Sequence, residues 1–138
     1  MDNTTISKIA IKPEGIPNRV LIVDDSDFIA KQLGEILTSE GFNVVDTAVN
    51  GFQGIEKYKA LYPSIDLVTL DITMYGMDGI SALEKILEFD KQAKVIMISA
   101  LGKEEEVKKC LEMGAKGCIV KPLDRNKVLE RVVYVLKQ

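Results

Sequence analysis

Five short apolar runs, rich in β-branched residues, recur along this chain of 138 residues and constrain its fold more than any other feature. The runs are continuous rather than alternating, which predicts strands buried on both faces, as in a parallel sheet covered by helices. Strands are predicted at residues 20–23, 44–48, 67–70, 95–98 and 118–120.

The segments between these runs have helical periodicity. In the first of them Ile29, Leu33 and Ile36 lie three or four residues apart, and similar spacing recurs in the other segments. Asp124 is a predicted N-cap of the last helix. Strands that alternate with helices predict an α/β fold, a doubly wound (βα)5 domain with a five-stranded parallel sheet, whose functional groups lie at the carboxyl ends of the strands.

Composition narrows the functional classes. The net charge is −3 with acidic and basic residues mixed, and no basic patch predicts nucleic-acid binding. No apolar run is long enough to span a membrane, the N-terminus does not resemble a signal peptide, and two cysteines form no framework, so we expect a cytoplasmic protein. The chain has no histidine, which excludes a histidine-based zinc site and a Ser-His-Asp triad.

Charged and hydroxyl side chains directly follow four of the predicted strands. Asp24 and Asp25 follow the first, Asp71 the third, Ser99 the fourth and Lys121 the fifth. If the first and third strands are neighbours, three carboxylates converge, and two charges about 5 Å apart repel by roughly 3 kcal/mol at an effective dielectric of 20. A hard divalent cation such as Mg²⁺ would relieve this repulsion.

Each of these residues also has a simpler interpretation when it is taken alone. Asp24 and Asp25 would cap the first helix, Asp71 would be a solvated strand end, Ser99 would cap a turn and Lys121 would be a surface cation. Their occurrence together at one edge of one sheet favours a site. A carboxylate beside Mg²⁺ and a lysine suits phosphoryl acceptance, and with no histidine in the chain the donor must be another molecule.

The motifs "VLIVDDS", "LVTLDITM", "MDG", "VIMISA" and "GAKGCIVKP" resemble, in order and spacing, the receiver domain of two-component response regulators. The resemblance extends from Arg19 to about Lys137, and with no output domain attached the chain is most similar to the stand-alone chemotaxis members. The resemblance implies a flavodoxin-like fold with strand order 2-1-3-4-5.

The resemblance also implies a role for each site residue. Asp71 matches the phosphoacceptor, Ser99 the switch hydroxyl and Lys121 the phosphate-binding lysine. The implied ligands of Mg²⁺ are Asp25, Asp71 and the backbone carbonyl of Thr73, with Asp24 acting through water. The bond between Lys121 and Pro122 is expected to be cis.

Two positions depart from the family pattern. Cys118 replaces the usual Tyr or Phe, whose ring turns inward on switching, and we interpret it as a small packed hydrophobe rather than a redox sensor. Tyr75 replaces a proline beside the phosphoacceptor, which predicts a freer loop with an aromatic ring near the site.

These features predict a phosphoacceptor switch at residues 19–138 rather than an enzyme. The family implies that phosphorylation changes the face formed by the fourth helix, fifth strand and fifth helix, and that the partners are a chemotaxis-type histidine kinase, the flagellar motor switch and a phosphatase. Residues 1–18 are a predicted flexible extension, although the alternation in "ISKIAIK" would also suit pairing with a sheet edge or a partner.

Three alternatives remain open. Another receiver role, such as a phosphorelay intermediate, would use the same site. An aspartyl phosphatase would need a second Asp where this chain has Thr73, and a flavodoxin-like nucleotide binder would need an anion cradle where it has Asp24 and Asp25. The sequence disfavours the last two.

Overall fold

The computed structural model describes residues 8–138, and within them five parallel strands form one sheet in the order β2-β1-β3-β4-β5. The strands are β1 (Arg19–Val23), β2 (Asn43–Ala48), β3 (Leu67–Asp71), β4 (Val95–Ser99) and β5 (Gly117–Val120). The helices that connect and follow them are α1 (Asp27–Ser39), α2 (Gly51–Leu61), α3 (Gly79–Phe89), α4 (Glu104–Met113) and α5 (Arg125–Leu136). The predicted fold and strand order are confirmed, and each predicted strand boundary lies within one residue of the observed one.

The sheet is buried on both faces because successive strand residues point to opposite sides. In β1, Val20 and Ile22 belong to the core cluster on one face, which includes residues of α1 and α5. Leu21 and Val23 belong to the cluster on the other face, which includes residues of α2, α3 and α4. All four side chains are at most 1% exposed, and burial of each stabilises the fold by about 1.5–3 kcal/mol.

Polar caps fix where four of the helices begin. The side chains of Ser26, Asn50, Asp78 and Asp124 each accept a hydrogen bond from a backbone N–H three residues further on. The predicted N-cap at Asp124 is therefore confirmed. Helix α4 has no such side-chain cap but carries three glutamates in its first turn, where negative charge is favourable.

Residues 8–18 pack against the amino ends of the strands. Residues 8–10 are helical, Ala10 is fully buried, and Ile11 forms an antiparallel bridge to Pro17. The Lys12 ammonium lies 2.9 Å from the Asp66 carboxylate. The buried Ala10 and the ion pair between Lys12 and Asp66 connect residues 8–18 to the domain. The flexibility predicted up to Asn18 stays a prediction, and residues 1–7 of that segment lie outside the described part.

The helices of residues 8–138 have at most 13 residues. None of these helices combines the length and the apolar composition that a bilayer crossing requires.

Candidate metal centre

Three carboxylates meet at the carboxyl edge of the sheet because β1 and β3 are neighbours. Val23 pairs with Leu70 in the parallel register, so the residues that come next extend past the same edge. Asp24, Asp25 and Asp71 each have an oxygen within 4.8 Å of those of the other two. The predicted convergence of these acids is thus observed.

The environments of the carboxylates differ. Asp24 and Asp71 are 2% and 3% exposed, whereas Asp25 is exposed to solvent. Asp24 Oδ1 accepts a hydrogen bond from the Ser26 N–H at 2.8 Å, and Asp71 Oδ1 accepts one from the Thr73 N–H at 3.3 Å. The buried Asp24 Oδ2 has no hydrogen-bond partner among the described residues.

Burial and mutual repulsion disfavour the charged forms of two of these groups. Burial and, to a smaller extent, the charge of Asp24 raise the pKa of the Asp71 carboxyl to about 6 against the opposing effect of Lys121. Burial also raises the pKa of Asp24. Two buried acids with raised pKa values in one cleft are typical of a functional site rather than of a stabilising ion-pair network.

The donor set fits a hard divalent cation. A buried carboxylate oxygen without a protein partner is unusual, and the unpaired Asp24 Oδ2 is available to bind a cation or its water shell. Three carboxylates and the nearby backbone carbonyls offer only oxygen atoms, which suit Mg²⁺ with part of its water shell retained. Asp24, Asp25 and Asp71 are therefore the residues that would hold such an ion.

Lys121 enters the site from the end of β5. Its ammonium lies 3.6 Å from Asp71 Oδ1, and its backbone N–H donates to the Ser99 carbonyl at 2.7 Å. The peptide bond between Lys121 and Pro122 is cis, as the resemblance implied. The lysine thus provides a positive charge beside the buried Asp71 carboxylate.

Ser99 closes the edge at the end of β4. It is 1% exposed, and its hydroxyl donates to the Ala100 carbonyl at 2.8 Å. The hydroxyl is therefore hydrogen-bonded within its own loop. It would have to break this bond before it could donate to a group on Asp71.

The loop between β3 and α3 carries Thr73 and Tyr75. Thr73 is exposed, and the Tyr75 ring is 91% exposed, so the ring makes little contact with the domain. The Tyr75 backbone N–H, however, donates to Asp25 Oδ2 at 3.0 Å, which connects this loop to the loop after β1.

Cys118 lies half-buried against the core cluster that contains Cys110. Burial raises the pKa of the Cys118 thiol, which keeps it protonated and lowers its reactivity. Both observations support the interpretation of Cys118 as a packed hydrophobe.

Sequence reasoning missed the site contribution of two residues. Ser26 holds Asp24 through its N–H, and Gly79 lets the start of α3 approach the backbone of Asp71. A Cβ at Gly79 would overlap the Asp71 carbonyl oxygen and lie 2.7 Å from Ile72 Cα. The "MDG" motif could have signalled a close approach, whereas a backbone donor such as that of Ser26 has no sequence signature.

We expect Gly79→Ala to destabilise the protein by about 3 kcal/mol, because the new methyl group meets backbone that cannot move aside. The matched control is Gly34→Ala within α1, where a Cβ would meet Ile22 Cδ1 at an ordinary 4.0 Å. That control should be neutral or stabilising by up to about 1 kcal/mol. Urea unfolding measures both, and equal stabilities would contradict the close approach.

The family model and the relatives that match this chain indicate the same kind of protein. Residues 20–133 match the response regulator receiver domain family. The chain is 71% identical over 126 residues to the chemotaxis protein CheY of Treponema pallidum, covering 91% of this chain and 88% of that protein. It is 49% identical to CheY of Bacillus subtilis over 115 residues, which are 83% of this chain and 94% of the relative.

The fold is also similar to a solved structure of a complex. A chain in the crystal structure of the CheX–CheY–BeF3–Mg²⁺ complex from Borrelia burgdorferi superposes with a TM-score of 0.88 at 64% identity. The match covers 91% of this chain and 95% of that chain.

Proposed function

Since the chain belongs to the response regulator receiver domain family and is CheY-like, we propose that it is a phosphorylation-operated switch with Asp71 as phosphoacceptor. The observation that carries this proposal is the meeting of Asp24, Asp25 and Asp71 within 4.8 Å, with the Lys121 ammonium 3.6 Å from Asp71. These groups suit phosphoryl transfer, which depends on positioning and on charge stabilisation.

The reaction we propose is transfer from a phosphohistidine of a separate kinase. A carboxylate oxygen of Asp71 forms a bond to phosphorus while the bond between phosphorus and the imidazole nitrogen breaks, and the histidine leaves. Mg²⁺, when bound, would neutralise charge on the phosphoryl oxygens. Lys121 attracts another of these oxygens and loses its contact with the free carboxylate.

Two features of the Asp71 surroundings favour the charge change of this reaction. The buried carboxylate is disfavoured as an anion, since its pKa is raised to about 6. An added phosphoryl group would extend its charge toward the Lys121 ammonium and toward a bound Mg²⁺, whose positive charges would compensate it. Asp25 remains at the exposed mouth, through which a donor histidine can approach.

Ser99 is the group we propose to transmit the change. Its hydroxyl leaves the Ala100 carbonyl and donates to the phosphoryl group on Asp71. Ser99 and Ala100 line one end of a groove of about 570 Å³ whose other walls include Leu101, Leu111 and Val120. Movement of Ser99 would therefore reshape an apolar groove formed by the loop after β4, by α4 and by Val120 at the end of β5.

The partners we propose follow from the family and from the relatives. They are a chemotaxis-type histidine kinase as donor, the flagellar motor switch protein as reader and a dedicated phosphatase, all in the cytoplasm. A relative from Borrelia burgdorferi forms a complex with CheX in the presence of BeF3 and Mg²⁺. A CheX-like protein is therefore a candidate partner of this chain.

We expect beryllofluoride, a phosphoryl mimic, to increase binding of the flagellar motor switch protein in the presence of Mg²⁺. The physical reason is that a ligand that binds one conformation better shifts the population toward it. Binding of the purified partner is measured with and without the mimic, and Asp71→Asn serves as the unresponsive control. Equal binding in both conditions would contradict the proposed reader, and the phosphoacceptor itself is tested separately below.

A further inference from the structure

Each metal-site carboxylate accepts one backbone hydrogen bond, but the donors lie at different distances along the chain. Asp24 and Asp71 accept from N–H groups two residues further along the chain, those of Ser26 and Thr73. Asp25 accepts from Tyr75, which is fifty residues away in sequence. The first two bonds form within one loop, whereas the third joins two loops.

Asp25 depends on this third bond more than the other two depend on theirs. Asp24 and Asp71 are buried, so packing restricts their rotamers, whereas Asp25 is exposed. The bond from Tyr75 is the only hydrogen bond to the Asp25 side chain among the described residues. Without it, the exposed carboxylate would have to lose its rotamer freedom when a cation binds.

The bond leaves Asp25 able to act as a ligand. The Tyr75 N–H occupies Oδ2, and a carboxylate has two oxygens with about four acceptor positions. One oxygen of Asp25 lies within 4.8 Å of oxygens of Asp24 and Asp71, and the acceptor positions that the N–H does not use remain available to a cation. An N–H bond to a charged carboxylate is among the stronger hydrogen bonds, and such a bond is well suited to hold a ligand in place.

The Tyr75 side chain contributes little to this arrangement, since the ring is 91% exposed. What the residue supplies is its N–H. A proline has no N–H and cannot make the bond, whereas any other residue at this position retains the donor.

We propose that the Tyr75 backbone N–H is a positioning group for Mg²⁺, because it fixes Asp25 as a pre-oriented ligand and couples the loop after β3 to the metal site. This inference rests on the proposed function, since it takes Asp25 as a metal ligand. It assigns to residue 75 a role in metal affinity that its exposed side chain does not indicate.

The test is calorimetric titration of the full-length protein with Mg²⁺ alone. We expect Tyr75→Pro to bind Mg²⁺ about tenfold more weakly than Tyr75→Ala, which is equivalent to about 1.4 kcal/mol. An ester in place of the Tyr75 peptide N–H, introduced as the α-hydroxy acid of tyrosine, removes the donor without the proline ring. It should weaken binding by a similar factor relative to wild type.

A double-mutant cycle separates positioning from a general change in the loop. In an Asp25→Ala background, Tyr75→Pro should no longer change Mg²⁺ affinity, because the bonded partner is gone. The inference would be overturned if Tyr75→Pro and Tyr75→Ala bound Mg²⁺ equally well, or if the ester variant bound it like wild type. It would also be overturned if Tyr75→Pro had the same effect with and without Asp25. None of these outcomes would affect the proposed function. A wild-type protein that does not bind Mg²⁺ would overturn the proposed function and this inference with it.

Discussion

Asp71→Asn is expected to abolish labelling of the protein by a small acyl phosphate in the presence of Mg²⁺. The amide nitrogen and oxygen of asparagine are far poorer nucleophiles than a carboxylate, so no bond to phosphorus forms. Intact-mass spectrometry after incubation with the phosphodonor measures the labelled fraction. The substitution keeps the size of the side chain, which limits the change to its chemistry.

The matched control for this experiment is Asp46→Asn. Asp46 lies within β2 and pairs with Lys57 at 3.1 Å, away from the carboxyl edge. This variant should be labelled like wild type. Persistent labelling of Asp71→Asn, or equal losses in both variants, would remove Asp71 as the phosphoacceptor.

The same substitution is expected to stabilise the metal-free protein near neutral pH. Burial and the charge of Asp24 raise the pKa of Asp71 from 3.8 to about 6, and they outweigh the attraction of Lys121. Each pKa unit corresponds to about 1.4 kcal/mol, and water at the open mouth of the site screens part of this, so we expect about 1–2 kcal/mol. Urea unfolding with a chelator present measures the difference.

The pH dependence of this effect has a definite sign. Between about pH 4 and pH 6 the folded protein binds a proton on Asp71 that the unfolded chain has lost, so metal-free stability falls as pH rises through this window. Asp71→Asn should flatten this decline and show little advantage below about pH 4, where both states are protonated. If Asp71→Asn were less stable than wild type at pH 7, burial and repulsion of the Asp71 carboxylate could not be destabilising the metal-free protein.

The strands could be predicted because their apolar signals are unambiguous, whereas their order was implied by the resemblance to the receiver domain family. Runs such as residues 67–70 and 95–98 are apolar throughout and are almost fully buried in the structure. Because parallel strands end at the same edge of a sheet, Asp71 and Ser99 lie at one edge regardless of how the helices pack. This is why the convergence of site residues was also predictable.

Features that depend on backbone atoms were not predictable from the sequence. The Tyr75 N–H reaches Asp25 only because two loops meet in the fold, and every residue except proline carries the same donor. The engagement of the Ser99 hydroxyl with the Ala100 carbonyl is equally a matter of loop geometry. Residue identity alone does not encode either contact.

The burial of Ala10 was not predictable for a different reason. The alternation of Ile9 and Ile11 gave no sign that Ala10 between them is the fully buried residue. A short helical turn places Ala10 near Gly41, where a side chain of one methyl group fits. Alanine contributes little to a hydrophobic pattern because it is small. The pattern therefore predicted burial of the flanking isoleucines rather than of Ala10.

The most direct test of the central claim is to locate the phosphoryl group on wild-type protein by peptide mass spectrometry after brief exposure to a phosphodonor. We predict that it lies on Asp71 and that chelation of Mg²⁺ before the reaction prevents its appearance. A phosphoryl group on Asp24, Asp25 or Ser99, or labelling that is unaffected by the chelator, would contradict the account.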